Sequence, residues 1–456
     1  MQTESVGVGW SSRLVFLMAA VGASVGLGNI WKFPYVTGAN GGGAFVTVYF
    51  LAAILVAIPI LIAELMIGRR GRLSPPTAMA KLAAATGSSQ SWTIVAWFGV
   101  IAGFLILSYY SVIGGWMLAY IPKAVSGDFA GLLPSQAEAT FAALLADPVT
   151  LTLWHTGFIG GTTLIIARGV EGGIEAAVKV LMPLLFLMLI GMIVYALLRG
   201  DMAAAINFMF SSDFSVITPQ VLLIAVGQAF FSLGVGMAIM MTYGAYLSND
   251  ISLPRSAILI ALADTGVAIL AGLAIFPLVF VNNLDPTDGA GLLLVTLPIA
   301  FGQMEGGAIL GTVFFSLVVF AAVTSAIAIL EPIVSFSIDR LKMSRVKAAM
   351  CWGGFAWLVG LASVFSFNSL SEFYPLAFVS AWETKTMFDL IDHFTANLML
   401  PLAGAGAALF VGWCIPYDSI REELAGTPTA LLKTWIFLLR FVVPISLLFL
   451  VGAGIV

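Results

Sequence analysis

The chain has 456 residues, 61% of them hydrophobic and 9% charged, with a formal net charge of −4. Soluble domains carry roughly 25% charged residues, so a soluble enzyme or binding module is excluded, and without a basic patch nucleic-acid binding has no support. Many apolar runs exceed the ~18 residues that mark a membrane-crossing helix. The composition describes an all-α polytopic membrane protein, read as a single transmembrane domain over residues 1–456.

Eleven spans are expected, at roughly 13–37, 43–69, 91–123, 149–167, 174–198, 217–247, 255–282, 306–341, 347–367, 386–414 and 430–455. The N-terminal stretch is polar, and the first apolar run is too long for a secretory signal. Arg69, Arg70, Arg72 and Lys81 follow span 2, Arg168 follows span 4 and Arg255 follows span 6. Arg340, Lys342, Arg345 and Lys347 follow span 8, and Arg421 and Lys433 follow span 10. The opposite loops are acidic, with Asp128, Glu138 and Asp147 after span 3 and Asp285, Asp288 and Glu305 after span 7. Basic loops mark the cytoplasmic side. The N-terminus is therefore expected in the cytoplasm and the C-terminus outside, in a plasma (inner) membrane. The longer outer connections, 124–148, 283–305 and 368–385, have room for short helices or lids.

Span 1 contains GASVGLGNIWKFP, with Gly22, Gly26 and Gly28 followed by Asn29, Lys32 and Pro34. Glycine costs about 1 kcal/mol against alanine within a helix, and backbone at lipid depth must satisfy its own hydrogen bonds. A helix that breaks there must line a polar cavity, where freed carbonyls suit a cation and freed N–H groups suit a carboxylate. Span 5 holds Gly173 and Pro183, which loosen a helix or merely kink it. Span 6 reads GQAFFSLGVGMAIMMTYGAY, with Gln228 and Ser232 ahead of Gly234 and Gly236. Small residues there also permit close helix packing. Span 7 carries Asp264 far from any loop, and an intramembrane carboxylate is a functional candidate by default. In span 8, Thr324 and Ser325 either bond back to carbonyls one turn earlier or supply oxygen ligands. Spans 1 and 6 lie five spans apart, and an odd offset starts the second set of helices from the opposite face. Paired interrupted helices in corresponding halves mark the substrate site of inverted-repeat transporters.

No nucleophile–base set is evident, so the chain is not read as an enzyme. His155 and His393 have no partners for a metal cluster, and Cys351 and Cys414 read as free thiols.

GASVGLGNIWKFPYVTGANGGGAF, SYYSVIGGW in span 3, FFSLGVGM in span 6 and FAAVTSAIAILEP in span 8 together resemble the neurotransmitter:sodium symporter family. That family is itself a standard instance of the paired-helix rule. The likeness covers nearly the whole chain, which looks like a short bacterial member with eleven spans in place of the commoner twelve. The resemblance implies a five-plus-five inverted repeat: residues 1–198 as helices 1–5, 199–414 as helices 6–10, and 415–456 as helix 11. Helices 1 and 6 would be unwound at mid-membrane.

The resemblance also implies a site. One sodium ion would meet the carbonyls of Gly22, Val25 and Ala321 with the hydroxyls of Thr324 and Ser325. A second would meet the Ser24 carbonyl, Asn29, Ser232, Asp264 and the carboxylate of the substrate. The substrate carboxylate would also take the N–H groups of Leu27 and Gly28 and the Tyr110 hydroxyl, while Tyr109 points elsewhere. Its ammonium would face carbonyls near Ser24 and Phe231, within a cavity that includes Gly26. Ile106, Gly234, Met237, Ser325, Ala328 and Ile329 would line the side-chain pocket, with Phe231 as lid. No charge stands in that pocket, so a neutral, mainly hydrophobic amino acid is favoured. Relatives with Asn in place of Asp264 need chloride; Asp264 would supply that charge itself, since Ala268 is not acidic.

Lys32 and Asp392 match an outer gate pair, with Lys where the family usually has Arg. Trp10, Gln228, Tyr246 and Asp339 match inner gate positions, while Gly7 replaces the usual N-terminal Arg. Gly173 and Pro183 would mark local unwinding of span 5. The implied activity is sodium-coupled import of neutral amino acids by alternating access, independent of chloride. The alternative is an amino-acid sensor on a transporter fold. Sodium is the coupling ion, no cofactor is called for, and no obligate protein partner is implied beyond the bilayer.

Overall fold

The computed structural model describes residues 9–211, 213–286 and 291–455; Gly7 and Asp288 lie outside them. Among the described residues nine helices are long and apolar enough to cross a bilayer. They are Gly43–Gly71, Gln90–Ser126, Pro148–Ala167, Val170–Arg199, Leu253–Val281, Gly307–Asp339, Arg345–Ser366, Met387–Cys414 and Thr429–Gly454. Arg13–Ser24 and Gly28–Ala39 form a further span, bent by 52° at a short break. Pro219–Ser232 and Ile239–Ala245 form another, interrupted over residues 233–238. The order is that of the eleven expected spans, and their numbers are kept.

Spans 1, 4, 6, 9 and 10 begin at a side-chain cap. Thr218 accepts from the Val221 N–H ahead of Pro219, and Asp147 accepts from Val149 and Thr150 ahead of Pro148. A side-chain oxygen satisfies N–H groups that have no partner within the helix, and a proline in the first turn has no N–H to lose. Pro134–Ala146 and Leu292–Gln303 occupy two of the three long connections, while 368–385 holds only a single tight turn of helix at Ser380–Trp382. Pro75–Ala85 and Met202–Phe210 are helices that apolar run length alone misses, being too short to cross.

Span 8 is the most enclosed, with 78% of its apolar stretch buried against 28% for spans 5 and 11. It packs along span 3 at the centre, with spans 5 and 11 outermost. Spans 2 and 6 approach too closely for side chains. A Cβ at Gly68 would collide with the Met241 carbonyl, and one at Gly244 would sit 2.5 Å from the Leu65 carbonyl oxygen. Small residues permit this contact in lipid, where van der Waals packing drives helix association.

Span 5 departs from expectation. A π-helical turn at Val170–Glu175 passes directly into an α-helix, Ala176–Arg199, that runs through Pro183 without unwinding. Gly173 serves packing instead, because a Cβ there would collide with the Ile165 carbonyl at the end of span 4.

Candidate functional site

The break in span 1 falls at Val25, whose backbone is extended (φ −70°, ψ 105°) directly after Ser24. The break in span 6 uses left-handed backbone at Gly234 (φ 63°), Gly236 (φ 85°) and Ala238 (φ 60°). Glycine reaches that region without the Cβ penalty, which accounts for two of the three; Ala238 adopts it without that help. The Ser24 hydroxyl bridges the two breaks, donating to the carbonyls of Ala20 and Leu233 at 3.2 Å each.

Between the breaks is a hollow of about 30 Å³. Span 1 contributes Ser24, Gly26, Leu27 and Gly28, span 3 Ile106 and Tyr110, span 6 Phe231, Ser232, Gly234 and Met237, and span 8 Ser325 and Ile329. Ala23 and Ile239 also line it, each flanking a break, which was the signal available for them. Ala328 does not. Ser325 and Ile329 are four residues apart on one helix face, and Ala328 is rotated about 100° from Ile329. The Tyr110 hydroxyl meets the Leu27 N–H at 3.3 Å, while Tyr109 turns away and donates to Asp392 Oδ1 at 2.9 Å.

A polar cluster closes one side. Asn29 Nδ2 donates to Ser232 Oγ at 2.9 Å, to Asp264 Oδ1 at 2.8 Å and to the Asp264 carbonyl at 3.1 Å. Ser232 Oγ donates to Asp264 Oδ2 at 2.7 Å, and the Tyr49 hydroxyl reaches Ser232 and Asp264 at 3.3 and 3.5 Å. A second oxygen cluster lies between spans 1 and 8. Ser325 Oγ contacts the carbonyls of Gly22 at 3.3 Å and Val25 at 3.2 Å. Thr324 bonds back to Phe320 and Ala321 at 3.1 and 3.0 Å. Its Cβ lies 3.3 Å from where a Gly22 Cβ would stand, so a side chain at Gly22 would push the two helices apart. Both clusters offer neutral or anionic oxygens, the ligands a hard cation prefers.

Two gate expectations need correction. Lys32 and Asp392 form no ion pair. They line a vestibule of about 120 Å³ above the hollow, where the Lys32 ammonium sits 4.5 Å over the Phe231 ring and Asp392 is held by Tyr109. Lysine has a single-point head where arginine would offer a fork. Gln228 does not stand with Trp10 and Tyr246, because it lies in Pro219–Ser232, the half of span 6 on the other side of the break. Its Nε2 donates to the Gly28 carbonyl at 2.9 Å. Asp339, at the end of span 8, accepts from the Ser74 N–H at 2.5 Å, at the start of Pro75–Ala85.

Trp10 does pack on Tyr246, its ring edge-on at 6.1 Å and its backbone N–H on the Tyr246 carbonyl at 3.2 Å, while its indole N–H meets the Tyr243 carbonyl at 3.1 Å. The Tyr246 hydroxyl donates to Glu331 Oε1 at 3.0 Å, and Arg345 grips both Glu331 oxygens at 2.9 and 2.6 Å. Glu331 and Arg345 were missed, as was Glu64, whose Oε1 accepts from the Gly236 N–H at 2.7 Å and so holds the second break. Glu64 and Glu331 gave the same signal as Asp264: a carboxylate inside an apolar span.

The sodium:neurotransmitter symporter family profile matches residues 8–133 and 149–456. The chain belongs to that family. It is thus a transporter-family protein and not an enzyme. It is 38% identical to the uncharacterized sodium-dependent transporter YhdH of Bacillus subtilis, over 98% of this chain and 97% of that one. An uncharacterized sodium-dependent transporter of Haemophilus influenzae is 34% identical, over 96% of each chain. The crystal structure of MhsT in complex with L-phenylalanine superposes with a TM-score of 0.89 at 40% identity, covering 98% of this chain and 99% of that one.

Proposed function

We propose that the chain is a sodium-coupled symporter that imports neutral, mainly hydrophobic amino acids by alternating access and needs no chloride. The observation that carries this is the pair of facing breaks with one hollow between them. The Leu27 N–H and the Tyr110 hydroxyl at the start of the second half of span 1 are suited to a carboxylate. The Phe231 and Leu233 carbonyls at the other break are suited to an ammonium. The rest of the hollow, Ile106, Met237, Ile239 and Ile329, is apolar, and a charged side chain there would be buried unpaired. The flexible thioether of Met237 adapts to several shapes.

Two sodium sites fit the two oxygen clusters. Gly22, Val25, Ala321, Thr324 and Ser325 would hold one ion. Ser24, Asn29, Ser232, Asp264 and the substrate carboxylate would hold the other, so ion and substrate bind together. Two sodium ions bring +2, the zwitterion zero, and ionised Asp264 −1, which removes the need for an anion. Each charge crossing 100 mV releases ~2.3 kcal/mol. Two therefore drive roughly a thousandfold accumulation before the sodium gradient is counted. Spans 1–5 and 6–10 act as the two repeats, with the Arg69, Arg70 and Arg345 face in the cytoplasm.

The test is uptake of labelled phenylalanine into proteoliposomes under an inward sodium gradient. Accumulation that is equal in chloride and gluconate supports the reading, and strict chloride dependence removes the role given to Asp264. A sensor would bind phenylalanine without accumulating it. Displacement of phenylalanine by glutamate or lysine would exclude the pocket assignment.

A further inference from the structure

A recess of about 620 Å³ lies away from the transport site, between the outer ends of spans 3 and 4 and the connecting helix Pro134–Ala146. Ala143 and Leu144 give it an apolar wall, while Lys123, Asp147 and Trp154 bring the polar groups. Lys123 ends span 3 and makes no ion pair with the described residues. Asp147 is pinned: its Oδ1 accepts from the Val149 and Thr150 N–H groups at 3.0 and 3.2 Å, and its Oδ2 from the Thr150 hydroxyl at 2.6 Å. Those Thr150 hydrogen bonds hold the Asp147 carboxyl below its ordinary range, so it is ionised at neutral pH. A carboxylate has about four lone-pair sites, which leaves one on Oδ2 for an outside donor. The Trp154 indole N–H has no partner among the described residues.

The recess thus presents a cation, an indole donor and a fixed anion that do not satisfy one another. It sits where spans 3 and 4 leave the bilayer, the level at which tryptophan and lysine meet headgroups. Beside it, Val149 and Leu153 of span 4 are each 66% exposed. We propose that this recess binds a phospholipid with a zwitterionic primary-amine headgroup of the phosphatidylethanolamine kind. The phosphate meets Lys123 and the Trp154 N–H, the ammonium donates to Asp147, and an acyl chain lies along Val149 and Leu153. A phosphatidylglycerol headgroup offers Asp147 hydroxyl donors but no positive charge, and charge-assisted hydrogen bonds are the stronger ones. A choline headgroup carries the positive charge but no N–H to donate.

The test is native mass spectrometry of the full chain in detergent with equimolar phosphatidylethanolamine, phosphatidylcholine and phosphatidylglycerol. Preferential retention of phosphatidylethanolamine is expected. Lys123→Gln is expected to cut that retention at least fivefold. Asp147→Asn, which keeps a capping side chain, is expected to abolish the preference over phosphatidylcholine while leaving phosphate binding. Equal retention of all three lipids by the wild type, unchanged retention in Lys123→Gln, or displacement of the lipid by free phenylalanine would each overturn the proposal. The transport reading stands or falls separately, on uptake.

Discussion

Asn29 Nδ2 lies 2.8 Å from Asp264 Oδ1, so the residue that follows the break in span 1 is tied to the one carboxylate in the middle of span 7. Ser232, at the edge of the break in span 6, donates to the other oxygen of the same carboxylate at 2.7 Å. One buried carboxyl group therefore joins both interrupted helices to a continuous one. Removing its charge while keeping its shape tests whether charge or geometry matters there.

Asp264→Asn keeps one acceptor oxygen for Asn29 or Ser232 and presents an amide to the other. Sodium-driven uptake in gluconate is expected to fall at least tenfold, with a higher sodium concentration for half-activation. Chloride is expected to restore part of it, since the Tyr49 and Ser232 hydroxyls already surround the carboxylate. Unchanged uptake in gluconate would show that the charge has no part in coupling.

Tyr110→Phe removes a hydroxyl that meets the Leu27 N–H at 3.3 Å. A hydrogen bond to a charged group contributes about 1.5–3 kcal/mol, so the KM for phenylalanine is expected to rise at least tenfold with the maximal rate less affected. Tyr109→Phe is the control, because that hydroxyl serves Asp392. If the two variants shift KM equally, Tyr110 has no special contact with substrate.

Much of this arrangement was legible in the sequence, and the failures have physical causes. Glycines in one apolar run serve packing as readily as a break; the two breaks could be read because the interruptions recur five spans apart, in corresponding halves. Asp264 could be read because a lone carboxylate in lipid is costly. Gln228 was misplaced because sequence does not show where along a broken span the break divides outer from inner half. The Lys32–Asp392 distance depends on the tilt of half-helices, which no local pattern encodes. Span 5 shows the converse: Gly173 packs against the Ile165 carbonyl, and the helix runs through Pro183 without a break.

Lys32→Arg gives the outer vestibule a longer, forked cation facing Asp392. Lys32 now rests on the Phe231 ring and leaves the two gate positions unpaired. Dissociation of bound phenylalanine toward the outside is expected to slow several-fold in the arginine variant and to be little changed in Lys32→Met. Equal rates in all three would mean that the vestibule charge does not control closure.

Glu64 accepts from the Gly236 N–H at 2.7 Å, at a point where the backbone of span 6 is not helical. Leaving a buried donor unsatisfied costs about 1–3 kcal/mol. Glu64→Ala is therefore expected to lower the melting temperature in detergent by several degrees, whereas Glu64→Gln, which retains an acceptor oxygen, is expected to lose less. A melting temperature unmoved by the alanine variant would mean that water or a shifted carbonyl satisfies Gly236 instead.

Glu331 and Arg345 set a sharper test at the inner face. Glu331 is fully buried, its two oxygens are gripped by Arg345, and Oε1 also accepts from the Tyr246 hydroxyl that packs beside Trp10. Breaking a buried pair by removing one partner costs about 3–5 kcal/mol because a charge is left uncompensated, while removing both can be nearly neutral. Arg345→Gln alone is expected to lower stability markedly and to admit thiol reagents to a cysteine placed at Val25 from the inner side. Adding Glu331→Gln to it is expected to recover much of the stability, since the orphaned charge is gone. Inner closure is expected to stay weakened, because the neutral pair no longer draws span 8 and the start of span 9 together beneath Tyr246. If stability and inner exclusion recovered in step, the ion pair would serve only to neutralise itself; if they separate, it holds the inner gate shut.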